Sequence, residues 1–157
     1  MAGPVLWILR HGKAADAVAF RGGDAARPLI ERGERQSAAS GAELARQAPV
    51  IDAILTSPRV RARQTADLAA AAHGSAPEPV VIDELGGDYG TQALLALASP
   101  WLEAEGSPNV VVVGHNPTLS IVVYELTGDE RGLSTGALAG IDLAERKLIT
   151  HFKPPKD

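Results

Sequence analysis

Residues 108–120 read PNVVVVGHNPTLS, and the four consecutive valines between Asn109 and Gly114 decide the fold class. β-branched residues without polar alternation suit a strand covered on both faces, the environment inside a parallel sheet. Gly114 ends the run, Asn116 supplies an N-cap and Pro117 a first helical residue, so a helix ending near Gly128 is predicted next. Working outward, the same strand-then-helix rhythm recurs. Residues 5–9 and 51–55 are short apolar runs, and 80–82 follow the turn Pro77-Glu78-Pro79. Helices are predicted over 31–47, weakened by Gly33 and Gly41; over 61–72, ending before Gly74; and over 91–98. Pro100 interrupts the last of these, with Ser99 capping a further turn. Residues 137–143 and 147–152 flank Ala144-Glu145-Arg146 as a hairpin with at least one antiparallel strand. The expected class is α/β: a mostly parallel central sheet flanked by helices on both faces, with an antiparallel C-terminal hairpin. Residues 11–27, with Gly22 and Gly23, read as a mobile surface loop.

Composition narrows the function. The 157 residues suit a single domain over 1–157. Cysteine is absent, which excludes a disulfide framework, a thiolate metal site and a cysteine nucleophile. A net charge of −4 with two Trp, two Tyr and two Phe is the wrong balance for a nucleic-acid partner. The apolar runs are far too short to cross a bilayer. Residues 5–9 precede their positive charges, the reverse of a signal peptide's order. A cytoplasmic protein with no membrane partner is expected.

Polar residues cluster just after three of the four predicted parallel strands: Arg10-His11-Gly12, then 56–61, then Gly114-His115-Asn116-Pro117. In open α/β sheets the ligand crevice lies beyond the carboxyl ends of the strands, so neighbouring strands would bring these stretches to one spot. Two arginines and two histidines at one spot describe an anion site, because guanidinium forks match phosphate geometry. Repulsion among the cations favours a neutral imidazole on His11, the form with a lone pair for attack on phosphorus. Each residue taken singly has a plainer reading. His11 reads as a hydrogen-bonded loop residue, His115 as a helix N-terminal residue, Arg10 as a surface charge, and Arg59, Arg61 and Arg63 as a solvated helix face. A metal held by His11, His115 and a carboxylate is disfavoured by the lack of an HExxH spacing and by the arginines. No metal or other cofactor is expected. His73 and His151 have no recognisable context and read as surface or edge residues.

Together these stretches resemble the histidine phosphatase (phosphoglycerate mutase-like) superfamily. The resemblance rests on LRHGKA at 9–14, LTSPRVRARQTA at 55–66 and VVVGHNPTLS at 111–120. DAARPLIERG at 24–33 resembles the loop after the first motif in small SixA-type phosphohistidine phosphatases. The resemblance implies His11 as the nucleophile that becomes phosphorylated, and Arg10 and Arg61 as ligands of the phosphoryl oxygens. It implies His115 as a hydrogen-bond partner of the phosphoryl group in the transition state. Arg59 and Arg63 flank the motif without matching it and are surface candidates; Gln64 and Thr65 match but read as structural. Ser57 is a lesser site candidate.

The chain lacks the insertions from which the mutase branch builds a lid, which suits a phosphorylated side chain of another protein, such as a phosphotransfer domain. Glu84, just past the third strand, stands where ester-cleaving members keep the acid that protonates a leaving alkoxide; it equally reads as a loop-fixing residue, with Asp88 a second candidate. Three functions follow: a phosphohistidine phosphatase; a phosphatase of small phosphate esters using Glu84; or a module that binds phosphate without cleaving it.

Overall fold

The structure, a computed structural model, describes residues 3–155. Six strands form one sheet in the order β3-β2-β4-β1-β5-β6. They are β1 (Val5–Arg10), β2 (Ala53–Thr56), β3 (Val80–Val81), β4 (Asn109–Gly114), β5 (Leu138–Asp142) and β6 (Lys147–Phe152). The first four are parallel to one another, while β5 runs antiparallel to both β1 and β6. The valine strand β4 lies between β1 and β2, which explains its unbroken apolar character.

Alternation along each strand divides the core into two layers. Trp7, Leu9, Ile54, Val111 and Val113 face α1 (Glu31–Gln47) and α2 (Val60–His73). Leu6, Ile8, Leu55, Val110 and Val112 face α3 (Thr91–Leu102) and α4 (Thr118–Thr127). The expected architecture is thus present, with helices on both faces and a C-terminal antiparallel hairpin. No lid covers the strand ends among the described residues. Nor is any described helix long and apolar enough to cross a membrane.

Three local expectations need correction. Helix α3 continues through Pro100 to Leu102 instead of breaking there. Proline removes the N–H that would bond the Ala96 carbonyl, and the Ser99 hydroxyl donates to that carbonyl instead, at 2.9 Å. Helix α4 begins at Thr118, and Asn116 acts from outside it by accepting the Ser120 N–H at 3.2 Å. The stretch 11–27 lies largely at the surface as expected, and its two ends are joined: Ala14 bridges to Leu29, and the Arg27 guanidinium donates to the Ala15 carbonyl at 2.7 Å. His73 is buried at the end of α2, where its ring nitrogen Nε2 bonds the Ala48 carbonyl at 2.8 Å.

The glycines that weaken α1 on paper are points of close approach. A Cβ on Gly41 would meet the Ala69 carbonyl oxygen of α2 at 2.3 Å, and one on Gly33 would meet the Lys13 carbonyl oxygen at 2.0 Å. Gly41→Ala gains at most about 1 kcal/mol of helix propensity but forces apart two packed backbones, an overpacking cost of about 1–3 kcal/mol. The variant is therefore expected to melt a few degrees below wild type, at about 2–4 °C per kcal/mol. An equal or higher melting temperature in calorimetry would show that α1 and α2 can separate freely at this point.

Candidate active site

The ends of β1, β2 and β4 lie level, since Arg10 pairs with Gly114 and Thr56 with Val113. Hydrogen bonding continues one residue past the strands. The His11 N–H donates to the Gly114 carbonyl at 3.0 Å, and the Ser57 N–H to the Val113 carbonyl at 3.1 Å. The chain after β1 and the chain after β2 are thereby both fastened to the end of β4, which leads into His115. The His11 and His115 ring centroids come to 5.2 Å.

Each side chain is held by identifiable partners. His11 is 8 % exposed, and its Nδ1 lies 2.7 Å from the Gly12 carbonyl oxygen. A carbonyl only accepts, so Nδ1 carries the proton and Nε2 keeps the lone pair. The Gly12 N–H donates to Thr65 Oγ1, which in turn donates to the Arg61 carbonyl. Gln64 Oε1 accepts the Leu29 N–H, so Gln64 and Thr65 both make structural hydrogen bonds to backbone. Arg10 donates through Nη1 to the Leu133 carbonyl at 3.0 Å, which also accepts the Asn116 amide at 2.7 Å. His115 Nε2 shares a 2.7 Å hydrogen bond with Ser57 Oγ, which also accepts the Arg59 N–H.

Arg61 is 6 % exposed and is gripped by Asp24, whose carbonyl accepts Nη1 at 2.9 Å and whose carboxylate accepts Nη2 at 3.2 Å. Arg59 also pairs with the Asp24 carboxylate and donates to the Gly86 carbonyl. Desolvation pushes the Asp24 carboxyl upward, but hydrogen bonds and charge from Arg27 and Arg61 outweigh it and hold the group below its ordinary value.

A cleft of about 260 Å³ is lined by Arg59, Arg61, Gly86, Asp88, His115 and Pro117 among others, and His11 stands behind it against the His115 ring, with neither His11 nor Arg10 in the lining. Arg10 Nε, Arg61 Nε and His115 Nδ1 are buried polar atoms without a hydrogen-bond partner, and all belong to residues gathered at these strand ends. Such atoms normally have a partner when buried, so hydrogen-bonding capacity is left unused at this place. The Tyr89 hydroxyl is likewise buried and unpartnered, and burial raises its phenol to about 12.

Burial, together with the positive charge of Arg61, Arg10 and Arg27, pushes His11 down to about 4, although the Gly12 carbonyl favours the protonated ring. Burial, then the neighbouring His11, Arg61 and Arg59, push His115 down to about 3, against the attraction of Asp24. Both rings are neutral at pH 7.

The structure thus gathers Arg10, His11, Arg61 and His115. It also brings in two residues the sequence reading left outside: Arg59, expected on the surface, lines the cleft, and Asp24 braces both of its arginines. Arg63 points elsewhere, lining a separate cavity with Asp67 and Glu78. Glu84 is exposed and lines a groove with Tyr89 and Leu97 rather than the cleft; Asp88 lines both.

With this geometry in place, comparison with known proteins is informative. The sequence pattern of the histidine phosphatase superfamily (branch 1) matches residues 6–89. The chain belongs to that superfamily. Membership, with likeness to SixA proteins, supports phosphatase activity, the hydrolytic release of phosphate. This phosphatase is 33% identical over 148 residues to phosphohistidine phosphatase SixA of Escherichia coli, covering 89% of this chain and 86% of that one. Its fold is similar to the crystal structure of a protein described as a phosphohistidine phosphatase SixA from Agrobacterium tumefaciens, with TM-score 0.81 and 28% identity over 98% of this chain and all of that one. It is also similar to a protein histidine phosphatase SixA complexed with tungstate, with TM-score 0.79 and 27% identity over 96% of this chain and 97% of that one.

The buried neutral rings carry a stability signature. In the unfolded chain His11 and His115 take up protons near pH 6.5, whereas the folded phosphatase resists them until about 4 and about 3. Between those values the unfolded state binds more protons, so stability falls as pH is lowered through the window. The urea midpoint should drop between pH 7 and pH 4, and His11→Asn should flatten that drop. An unchanged slope in the variant would contradict the burial of a neutral ring at position 11.

Proposed function

We propose that the chain is a cytoplasmic phosphohistidine phosphatase, one catalytic domain over residues 1–157, that dephosphorylates a protein through phospho-His11 without a metal or cofactor. The observation that carries this reading is the bond from His11 Nδ1 to the Gly12 carbonyl, which leaves the nucleophilic lone pair on Nε2 of a neutral ring. The named activity of the SixA relatives supports the same reading.

In the first step Nε2 attacks phosphorus, the new N–P bond forms, and the bond to the substrate's imidazole nitrogen breaks. Arg10, Arg61 and His115 stabilise the charge on the phosphoryl oxygens; their unpartnered buried nitrogens support these roles. In the second step water attacks phospho-His11, its oxygen bonds phosphorus, and inorganic phosphate departs as His11 recovers its lone pair. An imidazole leaving group needs less protonation than an alkoxide. The exposed position of Glu84, beside the cleft rather than in it, is compatible with chemistry that leans little on a carboxylic acid.

One observation favours the second reading, hydrolysis of small phosphate esters. Asp88 is a carboxyl group in the cleft lining, and it shares a neighbouring groove with Glu84, the acid candidate for ester cleavage. Phosphate binding without turnover is the remaining alternative, and it predicts an inert wild type.

Turnover of a histidine-phosphorylated protein against a panel of small phosphate esters separates these readings. His11→Ala should lower turnover at least about a thousandfold, and Arg61→Ala about a hundredfold with weaker phosphate binding. Glu84→Gln and Asp88→Asn should leave phosphohistidine cleavage nearly unchanged. Retained activity in His11→Ala would defeat the covalent mechanism, and ester turnover that is faster and collapses in either carboxylate variant would make this a small-ester phosphatase.

A further inference from the structure

Helix α4 starts beside His115 and is apolar on two opposite faces. Leu119, Val122, Val123 and Leu126 are buried in the core. On the other face Ile121 and Tyr124 are each 50% exposed. Pro117, Ile121 and Tyr124 stand at helical spacings of four and three residues and so form one stripe, about 10 Å long at 1.5 Å per residue. A helix whose inner face already has its core partner gains nothing by presenting a second apolar face to water.

The stripe forms the wall of a second cavity of about 260 Å³, with Pro117, Ser120, Ile121 and Tyr124 on one side and Asp129 and Glu130 from the following loop. Pro117 lines both this cavity and the phosphate cleft, so the two adjoin at that residue. A group held in the cleft therefore has an apolar groove on the far side of Pro117. The charges change sign along it, from the arginines of the cleft to the carboxylates of Asp129 and Glu130. Asp129 is braced by Arg131, which fixes the loop carrying Glu130.

We propose that this groove docks the substrate protein, and that the partner is one whose phosphohistidine is bordered by an apolar side chain and, beyond it, by a lysine or arginine. The apolar side chain seats between Ile121 and Tyr124, and the basic group meets Glu130. This rests on the reading that the substrate is a phosphorylated protein. A small phosphorylated molecule fills the cleft alone and leaves the groove unused, so the groove distinguishes the two classes of substrate. Interfaces draw much of their energy from a few aromatic and aliphatic anchors, which is the part assigned to Tyr124 and Ile121.

The test compares two substrates on the full chain: a histidine-phosphorylated phosphotransfer domain and free phosphoimidazole. Ile121→Ser, Tyr124→Ala and Glu130→Lys are assayed on both. The expected result is a KM for the phosphoprotein raised at least about tenfold in Ile121→Ser and Tyr124→Ala, and several-fold in Glu130→Lys. Phosphoimidazole turnover should stay within about twofold of wild type, which also shows that each variant is folded. Unchanged phosphoprotein kinetics in all three variants would overturn the proposal. So would a parallel loss on phosphoimidazole, which would make the groove part of the catalytic cleft. A wild type that dimerises in sedimentation and is made monomeric by Tyr124→Ala would assign the groove to a second copy of the chain instead. If wild type cleaves phosphoimidazole but not the phosphoprotein, the protein-substrate reading fails and the groove proposal with it.

Discussion

Strand β4 hydrogen-bonds to β1 along one edge and to β2 along the other, and the active site depends on that double pairing. Because the three strands are parallel and end level, the residues after each one emerge on the same side of the sheet. The ladder then extends one residue further, so that His11 and Ser57 are fastened directly to Gly114 and Val113. The two histidines are thus set by backbone geometry, the stiffest means available, before any side-chain contact is made. Four valines in β4 make this possible, since their alternate side chains fill both core layers.

The cleft concentrates positive charge in a partly buried place, and the protein manages the cost in two ways. Asp24 stands among Arg27, Arg59 and Arg61 as an internal counter-charge. His11 and His115, whose charge is optional, stay neutral because burial and the arginines oppose protonation. What remains is a set of fixed donors with nitrogens unpartnered at Arg10, Arg61 and His115. Buried donors without partners are costly in a folded protein, and under the proposed function an arriving phosphoryl group would offset that cost. The arrangement favours binding and charge stabilisation by groups that need not reorganise during reaction.

Much of the fold was legible because its signals are local. The strands could be placed to within a few residues by apolar runs bounded by proline and glycine, and helix α1 from 31 to 47 by composition despite Gly33 and Gly41. Where the sequence reading failed, a distant or compensating partner was responsible. Pro100 marks a break by every local rule, yet the Ser99 hydroxyl repairs the helix one residue away. Gly41 weakens α1 alone but lets it touch Ala69 of α2. His73 has no local context because its partner, the Ala48 carbonyl, lies 25 residues away.

The sequence by itself determined the α/β class, the order of strands and helices along the chain, and the candidate chemistry of Arg10, His11, Arg61 and His115. Each of those follows from residue type and from position just after a strand, which are properties of short windows. Only the tertiary structure decided which strands are neighbours, and therefore that the motifs meet. It also decided that Arg59 turns into the cleft while Arg63 turns away, that Asp24 braces both cleft arginines, and that Glu84 stands beside the cleft while Asp88 lines it. The physical reason is the same throughout: side-chain direction and long-range pairing depend on how elements pack, and a window of sequence holds no record of what packs against it.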